Sequence, residues 1–189
     1  MVIFSKKSFG ILGGSFDPAH KGHLIISKIA IKKVKLSKVL WIVTKQNPFK
    51  DKTFYSLTQR ISKARKITKS TKKIQVLRLE KDIHSSRSID AINYLVYKKK
   101  LKNVYFLIGS DNLINFHKWK SWKKIVKLTK LIVFSRRGYD KKSKKSVVAK
   151  YLKNKIIFIN EMLFFFKYFT TVDSLLLLSY LLREKTINF

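Results

Sequence analysis

The chain has 189 residues, of which 46% are hydrophobic and 13% aromatic, enough to bury one domain core and to exclude global disorder. It contains no cysteine, which excludes disulfides, thiolate metal sites and a cysteine nucleophile and fits a reducing cytoplasm. A formal net charge of +33 suggests nucleic acid or an anionic membrane as a partner and should attract anionic substrates.

In chain order, residues 9–12 (Phe-Gly-Ile-Leu) read as a first strand that stops at Gly13-Gly14. Residues 22 to about 35 read as a helix with Leu24, Ile25, Ile29 and Val34 on one side. Residues 39–43 are a buried strand, followed by a polar loop through Asn47-Pro48. Residues 56–68 are helical, 74–79 a strand, 88–100 a helix and 104–108 a strand ended by Gly109. Residues 111–127 are helical with aromatic punctuation, and 131–134 form a strand. The lysine-rich 141–145 patch reads as an exposed loop, 156–159 as a last strand and 174–183 as a last helix.

Strands that alternate with helices, and are continuously apolar, predict a Rossmann-like, doubly wound parallel sheet with helices on both faces. One domain spanning residues 1–189 is expected, with no linker marking a second. In such a sheet ligands bind at the carboxyl ends of the strands, near the reversal in strand order. The loops after Leu12, Val43, Ile108 and Phe134 are therefore the informative ones.

The first of these loops carries the strongest signal, Gly13-Gly14-Ser15-Phe16-Asp17-Pro18-Ala19-His20-Lys21-Gly22-His23. Two glycines at a strand end permit a tight turn and close approach of backbone amides to a phosphate. His20 and His23, three apart at a helix start, can face one ligand where the helix dipole adds partial positive charge.

This segment resembles the His-x-Gly-His signature of the nucleotidyltransferase superfamily. Further blocks resemble bacterial nicotinate-nucleotide adenylyltransferases. They are Asn47-Pro48-Phe49-Lys50, Ser86-Arg87-Ser88-Ile89-Asp90, Gly109-Ser110-Asp111 with Phe116 and Trp119, and Ser135-Arg136-Arg137-Gly138-Tyr139. Arg87 stands where that family has an aromatic residue, and Arg137 where it has proline. The blocks follow the family order over roughly residues 8–140. The family's closing Ser-Ser-Thr-x-Ile-Arg run has no clear counterpart, so residues from about 160 to 189 are atypical.

The resemblance implies transfer of AMP from ATP to nicotinate mononucleotide, giving nicotinate adenine dinucleotide and pyrophosphate, with no protein nucleophile. His20 and His23 are then the catalytic pair. Gly13, Gly14, Ser15, Phe16, Gly109, Asp111 and Arg136 bind ATP and its phosphates. Asn47, Lys50, Ser88 and Trp119 contact the acceptor. Four of these residues have plainer roles open to them: a helix cap for Asp111 or Ser88, core packing for Trp119, and an ordinary surface lysine for Lys50. Mg²⁺ is expected on the ATP phosphates, with no protein metal site.

Two alternatives compete: another phosphate acceptor, such as phosphopantetheine or a sugar phosphate, and a degenerate fold member acting as a basic RNA-binding protein. Only seven of the 43 basic residues are Arg, and the lysines are spread along the chain, which favours a solvated surface over a stable nucleic-acid partner. Met162 to Leu182 is apolar and long enough to span a bilayer, but Lys167 and Asp173 would lie near its centre. A buried strand and helix is the expectation there, with no membrane partner. No feature encodes an oligomeric state.

Overall fold

The computed structural model describes residues 7–45 and 53–160. Its strands are β1 (Phe9–Gly14), β2 (Lys38–Val43), β3 (Ile74–Leu77), β4 (Val104–Gly109), β5 (Lys130–Phe134) and β6 (Ile157–Ile159). They pair in parallel throughout, in the order β3-β2-β1-β4-β5-β6. The helices are α1 (Lys21–Lys33), α2 (Leu57–Thr68), α3 (Glu80–Ile83), α4 (Ser88–Asn93), α5 (Ser110–Asn115), α6 (Trp122–Leu128), α7 (Asp140–Lys144) and α8 (Val147–Leu152).

Successive strand side chains point to opposite faces, and both faces are covered. Ile11, Ile42, Phe106 and Val133 pack with Ile92 and Ile125 from α4 and α6. Leu12, Trp41, Leu107 and Ile132 pack on the other face with Ile29, Ala30, Ile61 and Ala64 from α1 and α2. That is the doubly wound architecture the continuous apolar strands predict. At Gly10 the packing leaves no room for a side chain, because a Cβ would lie 2.9 Å from Leu36 and 3.1 Å from Val39 and Leu107.

Strand order reverses at β1, and there the sheet splits. Pairing of β1 with β4 ends at Leu12 and Leu107. Pairing of β1 with β2 runs on to Gly14 and Val43, and that of β4 with β5 to Gly109 and Phe134. Beyond Leu12 the two central strands therefore diverge, and a crevice opens between Gly13-Gly14 and the end of β4.

Several elements differ from the sequence reading. The helix expected over residues 111–127 is interrupted: α5 ends in a tight turn at Phe116–Lys118, and Ser121 has a φ of 53° before α6 starts. Phe116 and Ile125 are both fully buried, so the break lets two short helices aim apolar residues at one core. The helix expected over residues 88–100 widens after α4, where the Lys99 amide bonds Tyr94 five residues back. The lysine-rich 141–145 patch is largely α7, and buried Ser143 anchors it by donating to the Asp140 carbonyl at 2.9 Å. The expected last helix and the apolar Met162 to Leu182 stretch lie outside the described residues. Among those described, no helix is long and apolar enough to cross a membrane.

Candidate active site

The turn after β1 brings the two histidines together through hydrogen bonds they make to each other's backbone. His20 is the N-cap of α1, and its Nδ1 accepts from the Gly22 amide at 3.1 Å. The Nδ1 of His23 accepts in turn from the His20 amide at 3.3 Å. The ring centroids lie 3.9 Å apart. An imidazole nitrogen that accepts carries no proton, so in both neutral rings the proton is on Nε2. Each histidine therefore carries its N–H on the outer nitrogen, at a helix N-terminus. Gly22 is required by this arrangement, because a Cβ there would come within 2.9 Å of the His20 ring.

His23 is held from behind. The Phe16 ring, 2% exposed, lies 4.8 Å from His23 and stacks on Trp41 at 5.0 Å. The buried Trp41 indole N–H donates to Ser27 Oγ at 2.8 Å, and that hydroxyl donates to the His23 carbonyl at 2.8 Å. The Phe16 backbone has a φ of 50°, the left-handed conformation that turns its ring under the histidine.

Across the crevice, β4 and β5 deliver a second pair of side chains, this one charged. Arg136 Nη1 donates to Asp111 Oδ2 at 2.7 Å, with the two side chains 54% and 23% exposed. Asp111 Oδ1 is buried and has no hydrogen-bond partner among the described residues, so the carboxylate retains an acceptor for a ligand donor. Asp111 does not cap its helix; the N-cap is Gly109, with no side-chain cap bond. A Cβ at Gly109 would collide with that same oxygen, so the glycine makes room for the carboxylate. The Ser110 hydroxyl accepts from the Arg136 amide at 2.9 Å and ties the two strand ends together.

A slot between β1, β2 and α4 adjoins the glycine turn. Its floor is Ile11, Ile42 and Phe106, and its polar lip is Ser85, Ser86, Arg87 and Ser88. Asp90 shapes the lip: Ser85 Oγ donates to its carboxylate at 2.6 Å and accepts from the Arg87 amide at 3.1 Å. The cap position of α4 is Arg87, without a side-chain cap bond, so Ser88 is a slot residue rather than a cap. Trp119 packs 4.9 Å from Phe116 and 6.2 Å from Phe106, behind the slot floor and partly buried. Asn47 and Lys50 lie outside the described residues.

Sequence reasoning missed two anchors. Arg60 is 1% exposed and donates to the backbone carbonyls of Ser15, Thr44, Lys45 and Tyr55. Asp17 accepts from the amides of Phe54 and Tyr55 at 2.5 and 2.9 Å. The available signal for Arg60 was its position: it shares the buried face of α2 with Ile61, Ala64 and Thr68, where an amphipathic helix normally places no charge.

Comparison with known proteins shows the family. A family model described as cytidylyltransferase-like matches residues 11–173. A protein of Pelagibacter ubique (strain HTCC1062) named "Probable nicotinate-nucleotide adenylyltransferase" is 51% identical over 82% of this chain and 86% of its own length. The chain belongs to the nicotinate-nucleotide adenylyltransferase family. A protein of the same name from Methylorubrum extorquens (strain PA1) is 35% identical over 69% of this chain and 70% of its own. In fold, the chain is similar to a Plasmodium falciparum nicotinic acid mononucleotide adenylyltransferase solved in complex with NaAD. That likeness has a TM-score of 0.66 at 21% identity and covers 82% of this chain and 76% of the other. The family places the glycine–histidine turn in an adenylyltransferase and, among the acceptors weighed above, selects the pyridine nucleotide.

Proposed function

We propose that this enzyme transfers AMP from ATP to nicotinate mononucleotide at the crevice between β1 and β4, in the cytoplasm. An oxygen of the acceptor phosphate attacks the α-phosphorus of ATP in line; the bond to the bridging oxygen breaks and pyrophosphate leaves. No protein nucleophile takes part, so the chain contributes position and charge neutralisation. The observation that carries this reading is the paired use of Nδ1, which commits His20 and His23 to donate from Nε2. Those donors meet the triphosphate oxygens, beside amides of Gly13, Gly14, Ser15 and Phe16 and the start of α1.

On the other side of the crevice, Asp111 Oδ1 accepts from a ribose hydroxyl or the adenine amine, and Arg136 meets phosphate. Ser88, with the slot it lines, takes the acceptor ring, and Trp119 backs that slot through Phe106. Asn47 and Lys50 are assigned to the acceptor on the motif alone. Mg²⁺ would be carried on the phosphate oxygens of ATP. There it would screen the triphosphate charge.

The test is pyrophosphate release by the purified protein with ATP, Mg²⁺ and one acceptor at a time. The acceptors are nicotinate mononucleotide, nicotinamide mononucleotide, phosphopantetheine and a sugar phosphate. Release that depends on nicotinate mononucleotide is expected. Release with a different acceptor alone, or with none by folded protein, refutes the assignment.

A further inference from the structure

We infer that Arg60 is the positioning residue of this site, setting the triphosphate turn and the acceptor slot at a working distance from each other; the inference rests on the adenylyl-transfer reading. The residue is 1% exposed, and its guanidinium reaches carbonyls on three segments that are distant in sequence. One nitrogen, Nη1, donates both to the Ser15 carbonyl, in the turn that receives the phosphates, and to the Thr44 carbonyl at 2.8 Å. Thr44 lines the acceptor slot. The Nη2 nitrogen holds the next carbonyl, Lys45, at 2.8 Å, and Nε holds Tyr55 at 3.0 Å. A single planar group thus joins the triphosphate turn to the adjoining acceptor slot.

Asp17 completes the brace from within the glycine–histidine motif. Its carboxylate takes the Phe54 and Tyr55 amides, while Arg60 takes the Tyr55 carbonyl. Both charged groups act on main-chain atoms, so side-chain exchange in the braced segments leaves the brace intact. Only a planar fork with several N–H vectors spans carbonyls on three segments at once; an ammonium on a flexible stem cannot. In-line attack is sensitive to placement, and a displacement near 1 Å costs on the order of 100-fold in rate.

The experiment compares wild type with Arg60→Met, Arg60→Lys and Asp17→Asn. It measures kcat, the KM for ATP and for nicotinate mononucleotide, thermal unfolding, and binding of ATP to the same preparations. For folded Arg60→Met we expect kcat to fall about 10- to 100-fold, with both KM values and ATP binding within about 3-fold of wild type. The lysine variant should not recover kcat, and Asp17→Asn should show the same pattern more weakly. Turnover close to wild type in Arg60→Met, recovery by lysine, or loss confined to KM would each overturn the inference. If Arg60→Met does not fold, Asp17→Asn decides: a folded variant with lowered kcat supports the brace, and a fully active one reduces it to a stability element. A wild-type protein silent with every acceptor removes the adenylyl-transfer reading itself, whereas an active wild type with an equally active Arg60→Met removes only the brace.

Discussion

His20 does two jobs with its two nitrogens. Nδ1 caps α1 through the Gly22 amide, and Nε2 carries the donor assigned to phosphate. The two are separable by substitution. Asparagine is a good N-cap and keeps an acceptor near the helix start, yet it lacks a donor at the reach of Nε2. His20→Asn should therefore melt close to wild type while turnover drops roughly 100-fold or more, as when one transition-state donor is lost. His20→Ala should lose similar turnover and also about 1 kcal/mol of stability from the missing cap. Equal stability in the two variants would deny the capping role; near-normal turnover in either would deny the catalytic one. Gly22→Ala offers the reverse control. Alanine suits a helix better than glycine by about 0.8–1 kcal/mol, but its Cβ would press on the His20 ring from 2.9 Å. Stability should hold or rise as kcat falls about 10-fold or more, read from melting curves beside steady-state rates.

At the scale of elements, α1 is coupled to β2 by the Trp41–Ser27–His23 chain, and this coupling is polar in an otherwise apolar layer. Ser27→Ala leaves the buried indole N–H without its acceptor and should cost about 1–3 kcal/mol in urea unfolding. The strands, and α1 and α2, were legible because each presents several apolar residues at its own period; both observed helices begin and end within two residues of their predicted limits. Three helices of four to six residues were not. α3, α7 and α8 are too short to show two turns of periodicity, and what holds α7 is the burial of Ser143, a tertiary fact. The break at Ser121 was hidden because apolar residues before and after it serve the same core. In the site, the histidines and glycines stand out by residue type and spacing. Arg60 did not, because hydrogen bonds to main-chain carbonyls leave no residue-type signature in the sequence.

Taken whole, the molecule is a strongly cationic body whose substrates are anions. The +33 charge raises the local concentration of nucleotides, an effect that salt screens with a Debye length of about 10 Å at 0.1 M. Raising ionic strength from about 0.02 to 0.2 M should lower kcat/KM for ATP several-fold and leave kcat nearly constant. A flat kcat/KM across that range would mean that the lysines do not steer substrate. The sheet order has a separate consequence for how the protein is made. β1 lies at the centre of the sheet, flanked by β2 on one side and β4 on the other. During synthesis its β2 side can close early, as one local strand–helix–strand unit. The opposite edge waits until residues 104–109 have left the ribosome, so the strand that carries the glycine turn spends that interval with a bare row of amides and carbonyls. The nascent chain is thus most vulnerable to wrong pairing at the strand on which its chemistry depends.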